Sequence, residues 1–162
     1  MKNKKICLFV VTSLFFMNAG LVFAQAQADP KLPDFLITSV IFEPAPKEGD
    51  PLSVVKILVH NRGTADAPET EVHFECLAVD CDDDNDCLQI SSALKGKIDL
   101  PPLKKDSDIE VKWTPDSSLR WVKGNFIISA IIDPENKIQE LHEANNTNQS
   151  VIYLKQFAPE TK

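Results

Sequence analysis

Along most of this chain hydrophobic and polar positions alternate with a period of two, in short runs separated by clusters of Pro, Gly, Asn and Asp. An extended backbone turns successive side chains to opposite faces, so each run predicts a strand with one buried and one wetted face. The first runs from Phe35 to Phe42, stopped by Pro44 and Pro46. The second, Leu52 to His60, sets Val55, Ile57 and Val59 on one face against Lys56 and His60 on the other. A third points Val72, Phe74, Cys76 and Ala78 inward, with His73 and Glu75 outward. The segment at 76 to 87 then predicts an acidic hairpin, and Leu88 to Ile90 with Leu94 to Leu100 predict the chain crossing back. That crossing ends at Pro101-Pro102, which marks an edge or a sheet-to-sheet crossover because prolines cannot join a central ladder. Ile109, Val111 and Trp113 share the inner face of the next strand, while Trp121 sits in a loop and caps one end of the sandwich. No segment carries a sustained helical period.

Phe126 to Ile132 is almost wholly β-branched or aromatic, contains neither Gly nor Pro, and ends abruptly at Asp133-Pro134. It predicts the central strand of a sheet. Val151 to Leu154 predicts the strand paired with it. Between them Ile138 and Leu141 turn back onto the domain, and Glu140, Glu143, Asn145 and Asn146 lead into the last strand. Asn side chains bond nearby backbone amides and tolerate left-handed angles, so this is a shaped connection that satisfies its own backbone groups. Gly63, closing the second strand after Asn61-Arg62, is expected to take a positive φ. Alternation throughout predicts an all-β, two-sheet sandwich of about seven strands.

An Asp-terminated strand, a short turn, Glu140, Glu143 and Asn145-Asn146 together resemble the CARDB family, bacterial extracellular modules related to cell adhesion. Pro33-Asp34-Phe35, the run from Val59 to Ala65, Trp113-Thr114-Pro115 and Gly124 before Phe126 carry the resemblance over residues 33 to 154. It implies an immunoglobulin-like fold and a surface offered to a protein or a polysaccharide. Phe35 replaces the family's leucine, and the cysteine-bearing acidic segment at 76 to 87 departs from the family pattern.

Lys2, Lys4 and Lys5 precede an apolar run reaching Ala24, with small residues that suit cleavage after Ala24 or Ala26. This predicts an export signal at 1–26, a tether at 27–32, the sandwich at 33–155 and a polar tail at 156–162. The competing reading of the leader is a membrane anchor, against which stand the small residues and the missing stop-transfer charges. Removal of the leader leaves 14 basic against 24 acidic side chains, a formal charge of −10. Such a surface repels nucleic acid and anionic lipid and favours cations and basic surfaces.

Catalysis needs a nucleophile beside a base, or a base beside an orienting group. The three histidines, His60, His73 and His142, fall on outward strand positions or in the loop, with no motif bringing a serine or cysteine to them, so no enzyme is expected. Cys76, Cys81 and Cys87 lack zinc spacing, and an exported chain meets an oxidising compartment. Cys81 with Cys87 is the expected disulfide, Cys76 with Cys87 the alternative.

Asp80, Asp82, Asp83, Asp84 and Asp86 crowd one short stretch. They are either a solvated charge run or an improvised calcium site closed by the disulfide, since the glycine and glutamate of a helix-flanked calcium loop are missing. Strand parity turns Leu77, Val79, Ile127 and Ile131 outward on neighbouring strands, either as one partner patch or as isolated aliphatics. The function expected is an exported, non-catalytic adhesion-type module. The alternative is a calcium-stabilised structural or accessory envelope protein without a dedicated ligand site.

Overall fold

A computed structural model describes residues 30–115 and 118–154. The leader at 1–26 and the tail at 156–162 lie outside the described residues. Seven strands form in chain order: β1 (Phe35–Glu43), β2 (Val54–Asn61), β3 (Thr70–Cys81), β4 (Gly96–Leu100), β5 (Ser107–Trp113), β6 (Gly124–Ile132) and β7 (Thr147–Tyr153). They make a three-stranded sheet in the order β1-β2-β5 and a four-stranded sheet in the order β4-β3-β6-β7, with antiparallel ladders. This is an immunoglobulin-like sandwich. Strand β6 is central as its composition predicts, flanked by β3 and β7, and the proline pair follows edge strand β4 at the crossover to β5 in the other sheet.

The inner faces follow the alternation. Val55, Ile57 and Val59 are fully buried on β2, and Phe126, Ile128, Ala130 and Ile132 are buried on β6. The two tryptophans exchange the roles the sequence suggests. Trp121, from the loop, is buried at the centre of an aromatic cluster, its ring 5.8 Å from Phe42 and 5.5 Å from Phe126 in edge-to-face contact. Its Nε1 donates to Ser53 Oγ at 3.1 Å, which supplies the partner a buried indole requires. Trp113 is only half-buried and packs edge-on to Phe74 at 5.3 Å. A strand end at the rim cannot bury a whole indole, whereas the loop folds back between the sheets.

The expected hairpin is instead a helix, α1 (Asp84–Ala93). Asp83 caps it: its side-chain oxygen accepts from the amides of Asn85 at 2.9 Å and Asp86 at 3.2 Å. Asp84 and Asp86 lie in the first turn, where carboxylates are favourable at the positive end of the helix dipole. Cys87, Ile90 and Leu94 form its buried stripe. Their three- and four-residue spacing is the helical signal inside the acidic composition. Leu88 to Ile90 is therefore helical rather than extended, and Leu94 is the C-cap rather than a strand residue.

Gly63 does not take the expected positive φ; among the described glycines Gly49 does, at 83°. What Gly63 supplies is room, because a Cβ there would lie 2.5 Å from the backbone of Pro33 and Asp34. Left-handed backbone occurs instead at Asp106, Asp133 and Asn136, whereas Asn146 has φ −75°.

Candidate functional site

The loop from Asp133 to Asn146 is tied to β1 as well as bonded to itself. Asp133, at φ 45°, turns the chain and accepts the Ile138 amide on Oδ2 at 2.7 Å. This brings Glu140 inward, where it is buried. The Phe35 amide donates to Glu140 Oε2 at 2.6 Å and Asn146 Nδ2 to Oε1 at 2.7 Å, so both carboxylate oxygens are engaged. Glu143 Oε1 accepts the Glu140 amide at 2.9 Å, a further bond made within the loop. Asn145 Nδ2 donates to the Phe35 carbonyl and to Asp34 Oδ1, each at 2.8 Å. The Leu141 amide donates to the Pro33 carbonyl at 3.0 Å.

Asp34, also buried, anchors the other side: Arg62 Nε donates to Oδ2 at 2.8 Å, and His142 Nδ1 lies 2.8 Å from the same oxygen. Burial pushes the Asp34 carboxyl up, but the bonds from Asn145, His142 and Arg62 outweigh it and hold the group below the usual aspartate range. Glu140 goes the other way. Burial pushes it up to about 6, with the Glu143 and Asp34 charges adding, against the lowering bonds from Phe35 and Asn146. Glu140, Glu143, Asn145 and Asn146 thus act together as a latch joining β1, the loop and the start of β7.

The outer face of the four-stranded sheet is arranged in rows. Leu77 pairs with Ile127 and Ile127 with Val151, which lines three aliphatic side chains across β3, β6 and β7. Leu77 is 64% exposed on β3, and Val151 and Tyr153 are exposed on β7. A bulge between Ala78 and Asp80 leaves Val79 as the extra residue, also outward. Ile131 lies two rows away, opposite His73, and is 37% exposed. Leu77, Val79 and Ile127 therefore fall together with Val151 and Tyr153, while Ile131 belongs to the polar half of the face. That half is a groove of about 740 Å³ shared by His73, Glu75, Lys97, Ser129, Ile131 and Gln149. Beyond it, the hydrogen bonds from Lys97 and then His73, both lining the groove, hold Glu71 at about 2.

Cys81 and Cys87 form the expected disulfide, joining the end of β3 to the first turns of α1. Cys76 is free and buried, and burial pushes its thiol up to about 12, which makes it an inert core residue. Of the acidic residues, Asp83 is spent on the helix cap and Asp82 pairs with Lys123 at 3.1 Å. Asp80 is the penultimate residue of β3, and Asp84 and Asp86 lie in the first helical turn. Among the described residues no three His, Cys, Asp or Glu side chains converge where they would hold a metal ion.

A family model described as CARDB matches residues 32–150. The chain belongs to the CARDB family. Two solved structures have the same fold as this CARDB domain. One is the crystal structure of a CARDB domain from Pyrococcus furiosus in complex with di-metal ions, 19% identical, covering 76% of this chain and 94% of that one at a TM-score of 0.53. The other is the solution structure of a domain, described as belonging to a cell surface protein, from Methanosarcina acetivorans. It is 16% identical and covers 81% of this chain and 99% of that one, also at 0.53. No curated protein matches the chain. CARDB domains are adhesion-related, and no helix among the described residues is long and apolar enough to cross a membrane.

The histidines of this CARDB domain each face a carboxylate: His60 with Asp108 at 3.0 Å, His73 with Glu71 at 2.9 Å, and His142 with Asp34. What sequence reasoning missed is the reach of the loop. Asp34 and Arg62 belong to the latch, and Leu88, Val151 and Tyr153 to the apolar end of the outer face. Val151 and Tyr153 share outward parity on the last strand, a signal present in the alternation; Leu88 required the helix to be recognised.

Proposed function

We propose that this CARDB domain is an exported, non-catalytic adhesion-type module that presents the outer face of its four-stranded sheet to a protein partner. The observation supporting this is how exposed apolar side chains are segregated. Among the described residues, Leu77, Val79, Leu88, Ile131, Val151 and Tyr153 are exposed on that face or its rim, and of the large exposed hydrophobics only Ile41 belongs to the other sheet. Isolated exposed aliphatics are ordinary, but a row continuous across three strands with a polar border has the anatomy of a protein interface. Three aliphatics in one row, with one tyrosine in the next, favour a protein over a polysaccharide, which would call for hydrogen-bonding groups among flat aromatic platforms. Export is supported by the leader composition and by the disulfide, which oxidising compartments maintain.

The test is capture from the envelope fraction of the source organism with the wild-type protein and with Leu77→Lys combined with Ile127→Glu. A component retained by the wild type and lost by a variant of unchanged melting temperature supports the proposal. Equal retention by both overturns it.

A further inference from the structure

We infer that the partner brings a segment in which Lys or Arg side chains neighbour aliphatic ones, with a cation entering the depression between Val79 and Leu88 and the aliphatics covering Leu77, Ile127 and Val151. This rests on the docking face proposed above and adds the chemistry of its occupant. The depression, about 270 Å³, is lined by Val79, Asp80, Asp84, Leu88 and the disulfide of Cys81 and Cys87. It is smaller than a small-molecule pocket and suits one long side chain. Lys and Arg lay an apolar stem along aliphatic surface and carry the charge at its end, so Val79 and Leu88 match the stem and Asp84 the head.

The charge pattern of the face points the same way. Among the described residues its lysines are opposed by carboxylates: Lys97 by Glu71 at 2.7 Å, Lys95 by Glu75 at 3.8 Å, and Lys123 by Asp82 at 3.1 Å. At the apolar end the start of α1 adds the carboxylates of Asp83, Asp84 and Asp86. A second copy of this chain would bring an identical acidic end to the same face, and the formal charge of −7 for the whole sequence opposes that approach. A basic partner is steered toward it.

Three synthetic peptides of equal length, alternating leucine with lysine, with glutamate or with serine, are titrated into the purified oxidised protein by fluorescence anisotropy. The lysine peptide is expected to bind about tenfold tighter than the serine peptide, and the advantage to shrink as salt rises. Asp84→Asn should bring the lysine peptide down toward the serine peptide's affinity and leave the latter unchanged. Leu77→Ser with Val151→Ser should abolish binding of both. Equal binding of the lysine and glutamate peptides overturns the basic chemistry and leaves the docking face standing; no binding of any peptide overturns both. Lysine-peptide binding that survives Leu77→Ser with Val151→Ser is unspecific charge attraction and overturns the inference. Self-association in sedimentation, lost in that same variant, would assign the face to a second copy and overturn it too.

Discussion

The backbone amide of Phe35 donates to Glu140 Oε2 at 2.6 Å across 105 residues of sequence. The bond joins the first residue of β1 to a loop between the last two strands. Because Glu140 also accepts from Asn146 next to β7, one carboxylate holds the edge of one sheet to the edge of the other.

Glu140→Ala leaves the Phe35 amide and the Asn146 amide group without their acceptor in a buried site. The expected loss is about 3 kcal/mol. Glu140→Gln keeps one acceptor oxygen and turns an NH2 group toward the other donor, so it should cost about half as much. Urea denaturation of the three proteins gives both values.

Stability carries a pH signature from the same residue. The folded Glu140 pKa is raised from 4.5 to about 6, so between those values the folded state holds the extra proton. Its contribution is full below pH 4.5 and is lost as pH rises through 6, a total of about 2 kcal/mol. Asp34 has the opposite sign: its lowered folded value contributes stability above 3.8 that disappears as pH falls through that lowered value. The wild-type stability minus that of Glu140→Gln, measured from pH 4 to 7, should decline across the interval and then flatten. A flat difference throughout would contradict the shift.

Gly63→Ala places a methyl group 2.5 Å from the Pro33 and Asp34 backbone, which is held by the Arg62 amide bond to the Asp34 carbonyl at 2.9 Å. Backbone cannot swing aside as a side chain does. We expect a loss of about 3 kcal/mol in a chemical melt, against a much smaller effect for Gly49→Asn, whose left-handed position is open to solvent.

Reducing the bond between Cys81 and Cys87 releases a short loop, separation 6, which closes about 2 kcal/mol of chain entropy in the unfolded state. Hydrogen exchange should rise first in α1, which the bond joins to β3, and much less in β2. Uniform exchange increases would show that α1 is not a separable unit.

Calcium titrated into the oxidised protein is expected to give a flat calorimetric trace and unchanged melts at millimolar concentration. Asp83 is held by two helix amides and Asp82 by Lys123, and among the described residues no three acidic side chains converge. Saturable heat lost in Asp82→Asn with Asp84→Asn would establish a site and revive the calcium-stabilised accessory role.

Local alternation was enough to read the sandwich, its inward faces, the outward turn of Leu77, Val79, Ile127 and Ile131, and the disulfide, because strand parity and short-range cysteine spacing are properties of neighbouring residues. The helix at 84 to 93 was hidden under its acidic composition, although Asp83 and the spacing of Cys87, Ile90 and Leu94 encode it locally. Other features depend on residues distant in sequence. Trp121 rather than Trp113 fills the core because a folded loop, not a strand end, reaches between the sheets. Gly63 is needed because another segment passes over it, and Glu140 serves β1 because the closed sandwich brings it to an amide 105 residues away. The row of Leu77, Ile127 and Val151 arises only when ladder register sets three strands side by side. Pattern therefore determined which way each side chain faces, and tertiary packing decided what it meets, since contacts across long loops are set by the closure of the whole sandwich and not by any local preference.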